Sequence, residues 1–459
     1  QDGSVMAKWT LSDKTIRISG SGEMKNWEYN EENDWHGTGY SEVIRNVVIE
    51  DGVTSIGDEA FSRCTSLASV KIPSSVRGIG KKAFSTCSSL ISVEIPSSVT
   101  SIGSYAFYRC SSLASIEIPS SVTSIESEAF GECSSLASIE IPSSVTSIGY
   151  SAFSSCSSLA EIKVDINNEK YADENGILYD KNKTGLICYP ARNVEKNFVI
   201  PSSVTSVGWY AFSGCSSLEN IEIPSSVTSI GWYAFDGCSS LTSIEIPSSI
   251  TSIGWHTFSG CRSLASIEIP SSVTYIGDGA FSGCRSLTSI EIPSSVTYIG
   301  DEAFSGCRSL TSIEIPSSVT SIGEDAFYGC DSLASIEIPR SVTHVGRTAI
   351  PNNTIIYVQA DSEGHKYAEE GKYTYVLSGK ANNISTNYKI EKEKIWDISK
   401  NQDGSVIAKW TLSDKELNIS GNGEMKSWEY NNKSEWNENN CVKLTKKITI
   451  EDGVNNIGG

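Results

Sequence analysis

The chain has 459 residues, of which 39% are apolar, and its 55 Asp and Glu outnumber its 36 Lys and Arg to give a formal net charge of −19. This acidic balance argues against nucleic acid and against anionic membrane surfaces as partners. No run of apolar residues approaches the roughly 20 that a membrane-spanning helix needs, and no signal peptide is recognisable.

Residues 1–42 have the pattern of a β-hairpin. Residues 5–11 and 15–20 predict two strands, and the polar residues 12–14 predict the turn between them. A stack of repeats exposes its core at each end unless a different element covers it. We therefore expect residues 1–42 to form an N-terminal hairpin cap.

Residues 43–353 repeat a 23-residue unit, of which residues 289–311 are a clear copy: S-I-E-I-P-S-S-V-T-Y-I-G-D-E-A-F-S-G-C-R-S-L-T. A degenerate first copy, residues 50–53, has E-D-G-V where the others have P-S-S-V. The prolines of the unit recur at one constant spacing, with a single longer interval after the fourth, at Pro73, Pro96, Pro119, Pro142, Pro201, Pro224, Pro247, Pro270, Pro293, Pro316 and Pro339. This spacing predicts about twelve coils of a solenoid.

Each unit predicts a short strand, a turn, a second extended piece and a tight helical turn. Ile290 and Ile292 alternate with polar residues, so they face inward, and Pro293 ends the strand because it lacks an N–H. The other inward positions are Val296, Ile299, Ala303, Phe304, Cys307 and Leu310. A single unit buries too little to offset the entropy of ordering it, so coils must stack, about 4.8 Å apart.

The longer interval, between Pro142 and Pro201, contains an insertion, residues 165–200. Residues 177–179 and 186–189 are apolar runs separated by a polar turn, which predicts a second hairpin. We expect this segment to be an elongated coil and not a separate domain.

Residues 354–379 predict a C-terminal cap made of a strand, a short helix at 365–370 and a closing strand. Residues 380–401 are polar and predict a linker. Residues 402–415 then repeat residues 1–14 at 13 of 14 positions, and residues 402–459 keep this register as a truncated second copy of the N-terminal cap region. The duplication predicts a parent protein of tandem modules.

Eleven of the thirteen cysteines occupy the same repeat position. Side chains in such a column point the same way, which does not suit the roughly 90° torsion of a disulfide. No unit adds a second ligand beside its cysteine, which argues against a metal column. The pattern favours buried, reduced thiols.

The segment Cys307-x-x-Leu310-x-x-Ile313-x-Ile315-Pro316, followed by S-V-T-S-I-G-x-x-A-F-x-x-C, resembles the bacterial BspA-like subclass of leucine-rich repeats. The resemblance covers residues 43–379, with local departures at Glu126, Thr257 and residues 349–351. It implies a β-rich solenoid in the form of a leucine-rich repeat arc, with a parallel sheet on the concave face. It also implies a secreted or cell-surface protein that binds host or neighbouring-cell molecules.

One candidate binding surface is an acidic column on the predicted sheet. Its members are Glu222, Glu245, Glu268, Glu291, Glu314 and Glu337. Like charges on neighbouring strands are unfavourable, so the column needs an explanation. It could keep the sheet soluble and prevent self-association, dock a cationic partner, or hold a cation.

The second candidate follows the glycine of the S-I-G motif, where most units have a polar residue. Three successive coils carry aromatic pairs there: Trp209 and Tyr210, Trp232 and Tyr233, Trp255 and His256. Since other residues already fill the core, we expect these rings at the surface. They could pack only on one another, or form a platform for sugars or proteins.

Nothing in the sequence indicates catalysis. The four histidines occupy unrelated repeat positions, and no phosphate loop, zinc spacing or nucleophile elbow is recognisable. We therefore expect no enzyme activity, no metal and no cofactor. The main hypothesis is an adhesin-like surface protein that binds proteins; the alternatives are a glycan-binding module and a structural spacer.

Overall fold

The computed structural model describes residues 5–10, 13–27 and 39–378, and short strands between residues 384 and 456. The fold is a β-solenoid of about 14 stacked turns of about 23 residues, with parallel sheets and almost no helix. The stack has more turns than the sequence has regular repeat units. Strands outside the regular units, such as Thr15–Ser19 and Gly185–Cys188, also join it in parallel.

The chain divides into two compact units, Gln1–Ser332 with Gly346–Pro351, and Leu333–Val345 with Asn352–Gly459. The first unit begins with the predicted hairpin, in which Met6–Thr10 pairs antiparallel with Thr15–Ser19. The N-terminal region also belongs to the parallel sheets of the stack, because Thr15–Ser19 pairs in parallel with Asn46–Ile49 and Gly22–Glu23 pairs in parallel with Val53–Ile56. A 3₁₀ helix, Tyr40–Glu42, precedes the first regular coil.

Most coils of the first unit contribute a first strand that carries the alternating apolar residues, whereas residues 266–269 form only a bridge, from Glu268 to Glu245. These strands are Asn46–Ile49, Ser69–Lys71, Ser92–Val93, Ser115–Ile116, Ser138–Ile141, Glu161–Val164, Asn197–Val199, Asn220–Glu222, Ser243–Glu245, Ser289–Glu291 and Ser312–Glu314. Neighbours pair in parallel exactly one repeat apart in the sequence, as Ser289 does with Ser312. Ile290 and Ile292 are buried and Glu291 is exposed, which confirms the predicted alternation.

A second strand, usually of two residues, follows the turn after the first strand. These strands are Gly22–Glu23, Val53–Ile56, Gly78–Ile79, Ser101–Ile102, Ser124–Ile125, Ser147–Ile148, Gly185–Cys188, Ser206–Val207, Ser229–Ile230, Ser252–Ile253, Tyr275–Ile276, Tyr298–Ile299 and Ser321–Ile322. A turn then carries Ala and Phe inward, and its amides donate to carbonyls of the next coil, as Phe281 N–H does to Ala303 O at 2.7 Å.

The core is a strip of identical side chains stacked from coil to coil. The phenylalanines from Phe61 to Phe153 and from Phe212 to Phe327 form two buried columns, with ring centroids 5.1 to 5.9 Å apart. All twelve cysteines of the described residues are buried and free. Nine of these thiols donate to the phenylalanine carbonyl of the preceding coil, as Cys87 does to Phe61 O at 3.2 Å.

The insertion contains a hairpin, Tyr171–Glu174 with Ile177–Asp180, and then Gly185–Cys188, which returns to the second-strand position beside Ser206–Val207. Asn168, which is fully buried, holds its entry. Its side-chain amide donates to the carbonyls of Pro142 and Val145, and its Oδ1 accepts the N–H groups of Lys170 and Tyr171.

The second unit contains strands Ser335–Ile338, His344–Val345, Ile355–Gln359 and Tyr375–Ser378, and helix Glu363–Glu370. Ser362 caps this helix by accepting the N–H of His365, so the helix begins earlier than the predicted 365–370. The segment that the sequence indicates as a linker contains strands Ile384–Ser385 and Glu393–Asp397. The second copy of the cap region contains Val406–Thr411, Glu416–Gly421, Gly423–Glu424, Lys447–Ile450 and Val454–Asn456.

Candidate binding surface

The repeat places one side chain per coil over the glycine of the following coil. A Cβ on Gly231 would lie 2.6 Å from Cδ1 of Trp209, and a Cβ on Gly254 would lie 2.6 Å from Cδ1 of Trp232. These are closer than carbon atoms can pack. At Gly231 the Cβ would also lie 2.6 Å from the backbone atoms Gly208 C and Trp209 N, whereas at Gly254 the nearest atoms belong to the ring of Trp232. The glycine of the S-I-G motif therefore allows large rings to lie flat against the stack.

The three tryptophans form one continuous stack. Ring centroids are 4.6 Å apart between Trp209 and Trp232 and 4.4 Å apart between Trp232 and Trp255, with interplanar angles of 15° and 23°. Tyr150 extends the stack, 4.5 Å from Trp209. The exposed fractions are 65% for Tyr150, 37% for Trp209 and Trp232, and 41% for Trp255. We call these four residues the aromatic ridge.

Sequence reasoning missed Tyr150, which lies on the other side of the insertion from Trp209 in the chain. A signal was present, because Tyr150 follows the glycine of S-I-G as the tryptophans do. The insertion hides this relation by lengthening the interval between the two residues.

A second stack lies beside the ridge. Tyr210, Tyr233 and His256 have positive φ angles, and their rings stack with centroids 4.5 and 4.7 Å apart. The imidazole lies over Gly279, where a Cβ would be 2.2 Å from its ring atoms. Burial raises the pKa of Tyr210 and of Asp236, which lies next to this stack. These three residues are less exposed than the tryptophans of the ridge.

The predicted acidic column is present on the first strands. Glu222 pairs in register with Glu245, Glu245 with Glu268 and Glu291 with Glu314, and all five carboxylates are exposed. Within the described part of the chain, no ion pair involves these five glutamates. Glu337 belongs to the second unit, where it lies opposite Tyr357. The column and the ridge lie on different segments of the coil, the first strand and the turn.

Three of the four histidines lie in the described residues, and they do not come together. His256 belongs to the ring stack, His344 is exposed, and His365 contacts Tyr375 and Glu369. His36 lies outside the described residues. Where the structure describes the chain, no three His, Cys, Asp or Glu side chains are grouped as metal ligands would be. Nor does that part contain a helix of the length and hydrophobicity that crossing a membrane requires.

Solved structures of bacterial proteins share this architecture. A leucine-rich repeat protein from Eubacterium ventriosum is 28% identical, with a TM-score of 0.61 over 77% of this chain and 93% of that one. A leucine-rich cell surface protein from Faecalibacterium prausnitzii is 32% identical, with a TM-score of 0.51 over 77% and 95%. The pneumococcal vaccine antigen PcpA, at 20% identity and a TM-score of 0.56 over 82% and 99%, shares the fold.

No curated protein matches the sequence. A family profile described as BspA type leucine-rich repeat region, in six copies, matches residues 40–170, 188–310 and 297–395. These matches cover most of the chain and coincide with the stacked coils described above. The chain belongs to the family of proteins with BspA-type leucine-rich repeats.

Proposed function

We propose that this protein is an adhesin-like scaffold, secreted or displayed at a bacterial cell surface, that binds a protein through the aromatic ridge. The observation that carries the proposal is the ridge itself: four stacked rings, each more than a third exposed, in a column that is otherwise mainly polar. The equivalent positions in other coils hold residues such as Ser104, Ser127, Asp278 and Asp301.

The ridge suits a binding site because it is already ordered. Trp209 and Trp232 are each held between two rings of neighbouring coils, and Trp255 lies against Trp232, so binding costs little further side-chain entropy. Tryptophan and tyrosine are enriched among the residues that dominate protein interfaces. A rigid row of them across four coils provides several such residues at fixed spacing.

The geometry favours a protein partner over a sugar. Sugars bind to the open faces of aromatic rings, whereas here the faces of Trp209 and Trp232 are covered by neighbouring rings at 4.4 to 4.6 Å. What remains exposed along the ridge is chiefly ring edges, which a protein surface can surround. The open faces are limited to the two ends of the stack, at Tyr150 and Trp255.

The proposed location rests on the relatives. The Faecalibacterium protein is described as a cell surface protein, and this chain covers nearly all of it at 32% identity. The acidic column is the alternative site, since five exposed carboxylates that have no ion pair among the described residues would attract a basic partner. The two sites predict different effects of mutation and of salt concentration on binding.

The test compares three variants of the full chain. The first replaces Trp209, Trp232 and Trp255 with Ser, the residue at the equivalent positions 104 and 127. The second replaces Glu245, Glu268 and Glu291 with Gln. The matched aromatic control replaces Tyr275 and Tyr298 with Ser. These two rings stack on each other, with centroids 5.1 Å apart, and do not belong to the ridge.

Adhesion to immobilised host matrix proteins and to a glycan array is measured at low and high salt. We expect the tryptophan variant to lose at least about 30-fold in affinity for a protein, because even one interface aromatic contributes about 2 kcal/mol or more. The other two variants should bind as the parent does. Unchanged binding by a correctly folded tryptophan variant refutes the ridge. Loss in the glutamine variant and at high salt assigns binding to the acidic column. Loss of glycan binding alone supports the sugar-binding alternative, and no binding to any surface supports a spacer.

A further inference from the structure

The column that carries the aromatic ridge continues beyond Trp255 as a row of acidic residues. The residues at the equivalent position of the next three coils are Asp278, Asp301 and Glu324. The first of these side chains takes the place that a ring takes in earlier coils. A Cβ on Gly300 would lie 2.6 Å from Oδ1 of Asp278, and a Cβ on Gly254 would lie 2.6 Å from Cδ1 of Trp232. The ridge and the acidic row therefore form one continuous surface.

The carboxylates of this row are held in place by the backbone of the next coil. Oδ1 of Asp278 accepts the N–H of Asp301 at 3.1 Å, and Oδ1 of Asp301 accepts the N–H of Glu324 at 2.7 Å. Two further acidic residues, Glu302 and Asp325, follow directly in the chain. Among the described residues, none of these five carboxylates belongs to an ion pair. The described part of the chain thus leaves the negative charge of the row without a counterion.

The two ends of the ridge differ in charge. On the other side of Tyr150 the column continues with Ser127 and Ser104, which are uncharged. Seven segments, each made of a second strand and the start of its turn, run from residues 147–151 to residues 321–325, and they contain no Lys or Arg. The surface is therefore neutral at one end, apolar in the middle and negative at the other end.

We infer that the partner of the aromatic ridge is a protein segment that is apolar at one end and basic at the other. Its apolar side chains pack on the exposed ring edges, and its Lys or Arg side chains contact Asp278 and Asp301 beside Trp255. A cation at this place is attracted by the carboxylates and also by the indole ring. The inference rests on the proposed function, to which it adds the charge and the orientation of the partner.

The length of the surface determines the probe. The seven positions from Tyr150 to Glu324 span about 29 Å at the spacing of parallel strands, and eight residues of extended chain span about 26 Å. The probe is an eight-residue peptide with leucine at two of its first four positions, lysine at two of its last four and serine elsewhere. It carries an uncharged fluorophore. Two control peptides replace both lysines, one with glutamine and the other with glutamate.

Fluorescence anisotropy measures the affinity of each peptide for the full chain. We expect the lysine peptide to bind about tenfold more tightly than the glutamine peptide, because two exposed charge pairs and a cation–ring contact act together. The glutamate peptide should bind more weakly than either. The advantage of lysine should shrink at about 1 M salt, where the interaction between exposed charges is screened.

Charge-removing substitutions test the contact with the acidic row. The double variant with Asp278→Asn and Asp301→Asn keeps the oxygens that accept the N–H groups of the next coil. It should therefore remain folded and bind the lysine peptide only as tightly as the glutamine peptide. The matched control is Asp58→Asn, four repeats before Tyr150, where Oδ1 accepts the N–H of Lys81 at 2.7 Å. Neither this control nor the glutamine variant of the acidic column should change the affinity.

The triple variant of Trp209, Trp232 and Trp255 separates this inference from the proposed function, because it should weaken the lysine and glutamine peptides alike. If binding depends on the tryptophans but lysine gives no advantage, or if the double Asn variant keeps that advantage, the inference is overturned and the proposed function stands. A lysine peptide that binds the tryptophan variant as tightly as the parent, or that fails to bind the parent at millimolar concentration, also overturns it. The adhesion of the tryptophan variant then decides the proposed function independently.

Discussion

At the scale of single residues, the cysteine column shows how the repeat uses a weak hydrogen-bonding group. The thiols of Cys87, Cys110 and Cys133 each lie 3.1 to 3.2 Å from a phenylalanine carbonyl of the preceding coil. A thiol thus fills the space of a small apolar residue and still satisfies a carbonyl. In this position it is protected from reagents and from water.

The column predicts a specific dependence of stability on pH. Burial raises the pKa of Cys64, Cys110, Cys156 and Cys284 from 9.0 to about 12. The unfolded chain releases these protons near pH 9, whereas the folded chain retains them. The contribution of these thiols to the free energy of unfolding is therefore fully present below pH 9. It falls by about 1.4 kcal/mol per thiol for each pH unit as the pH rises from 9 toward 12.

Denaturant unfolding at pH 7, 8, 9 and 10 measures this effect. We expect a constant free energy of unfolding up to pH 8 and a steep fall by pH 10. Buried tyrosines such as Tyr179, whose pKa burial raises from 10.0 to about 12, contribute only above pH 10. A thiol reagent at pH 8 should label the column only after denaturation. Rapid labelling of the native protein, or stability that does not change up to pH 10, would contradict the assignment.

The sequence predicted the position of the tryptophans at the surface, because the core positions of each coil were already filled. It could not predict that their faces are covered, since this depends on the glycine of the next coil and on the 4.4 to 4.6 Å ring spacing. Nor did it predict Tyr150, whose contact with Trp209 exists only because the insertion folds out of the way. Local pattern decides which side of a coil a residue occupies, whereas the stacking of coils decides its neighbours.

At the scale of the coil, the glycine after each second strand has two different functions. A Cβ on Gly254 would meet side-chain atoms, first Cδ1 of Trp232 at 2.6 Å. A Cβ on Gly300 would meet backbone, the N of Asp278 and the C of Gly277, both at 2.5 Å. The first glycine makes room for a ring, and the second lets two coils approach.

Alanine substitutions should separate the two functions. We expect Gly254→Ala to cost about 1–3 kcal/mol, because the indole of Trp232 must leave its place between Trp209 and Trp255. In a Trp232→Ser background most of this cost should disappear. Gly300→Ala should cost at least as much with or without Trp232→Ser, because the clash is with backbone. Denaturant unfolding of the five variants and of the parent chain measures both costs, and an equal cost of Gly254→Ala in the two backgrounds would show that the ring is not what the glycine accommodates.

At the scale of the first unit, the stack is not equally strong along its length. In regular coils three amides of the turn donate to the next coil, as Glu128, Phe130 and Glu132 do to Tyr150, Ala152 and Ser154. The turn at residues 151–155 has no such bond to a following coil among the described residues. The phenylalanine column stops at Phe153, and a new one begins with Tyr189, whose buried hydroxyl has no described partner.

The insertion replaces these regular contacts with a few specific ones. The N–H of Ile148, which would pair with a neighbouring second strand, donates instead to the hydroxyl of Tyr171 at 2.7 Å. Asp173 accepts the N–H of Val164 at 2.9 Å. Since the stability of a solenoid is a sum of coil and interface contributions, the weakest interface sets where it separates first.

We predict that the first unit opens at the insertion, as two cooperative blocks with a boundary between residues 149 and 185. Hydrogen exchange at increasing denaturant should show residues 53–148 and residues 206–322 each exchanging as a group, with different free energies of opening.

Tyr171→Phe leaves the N–H of Ile148 without an acceptor, so it should weaken the coupling between the two blocks by about 1–3 kcal/mol. Tyr328→Phe, at an exposed tyrosine, should change nothing. Conversely, Tyr189→Phe removes a buried hydroxyl that has no described partner and should stabilise the chain by about 1 kcal/mol. A single opening free energy from residue 53 to residue 322, unaffected by Tyr171→Phe, would mean that the inserted hairpin couples its neighbours as strongly as a regular coil does.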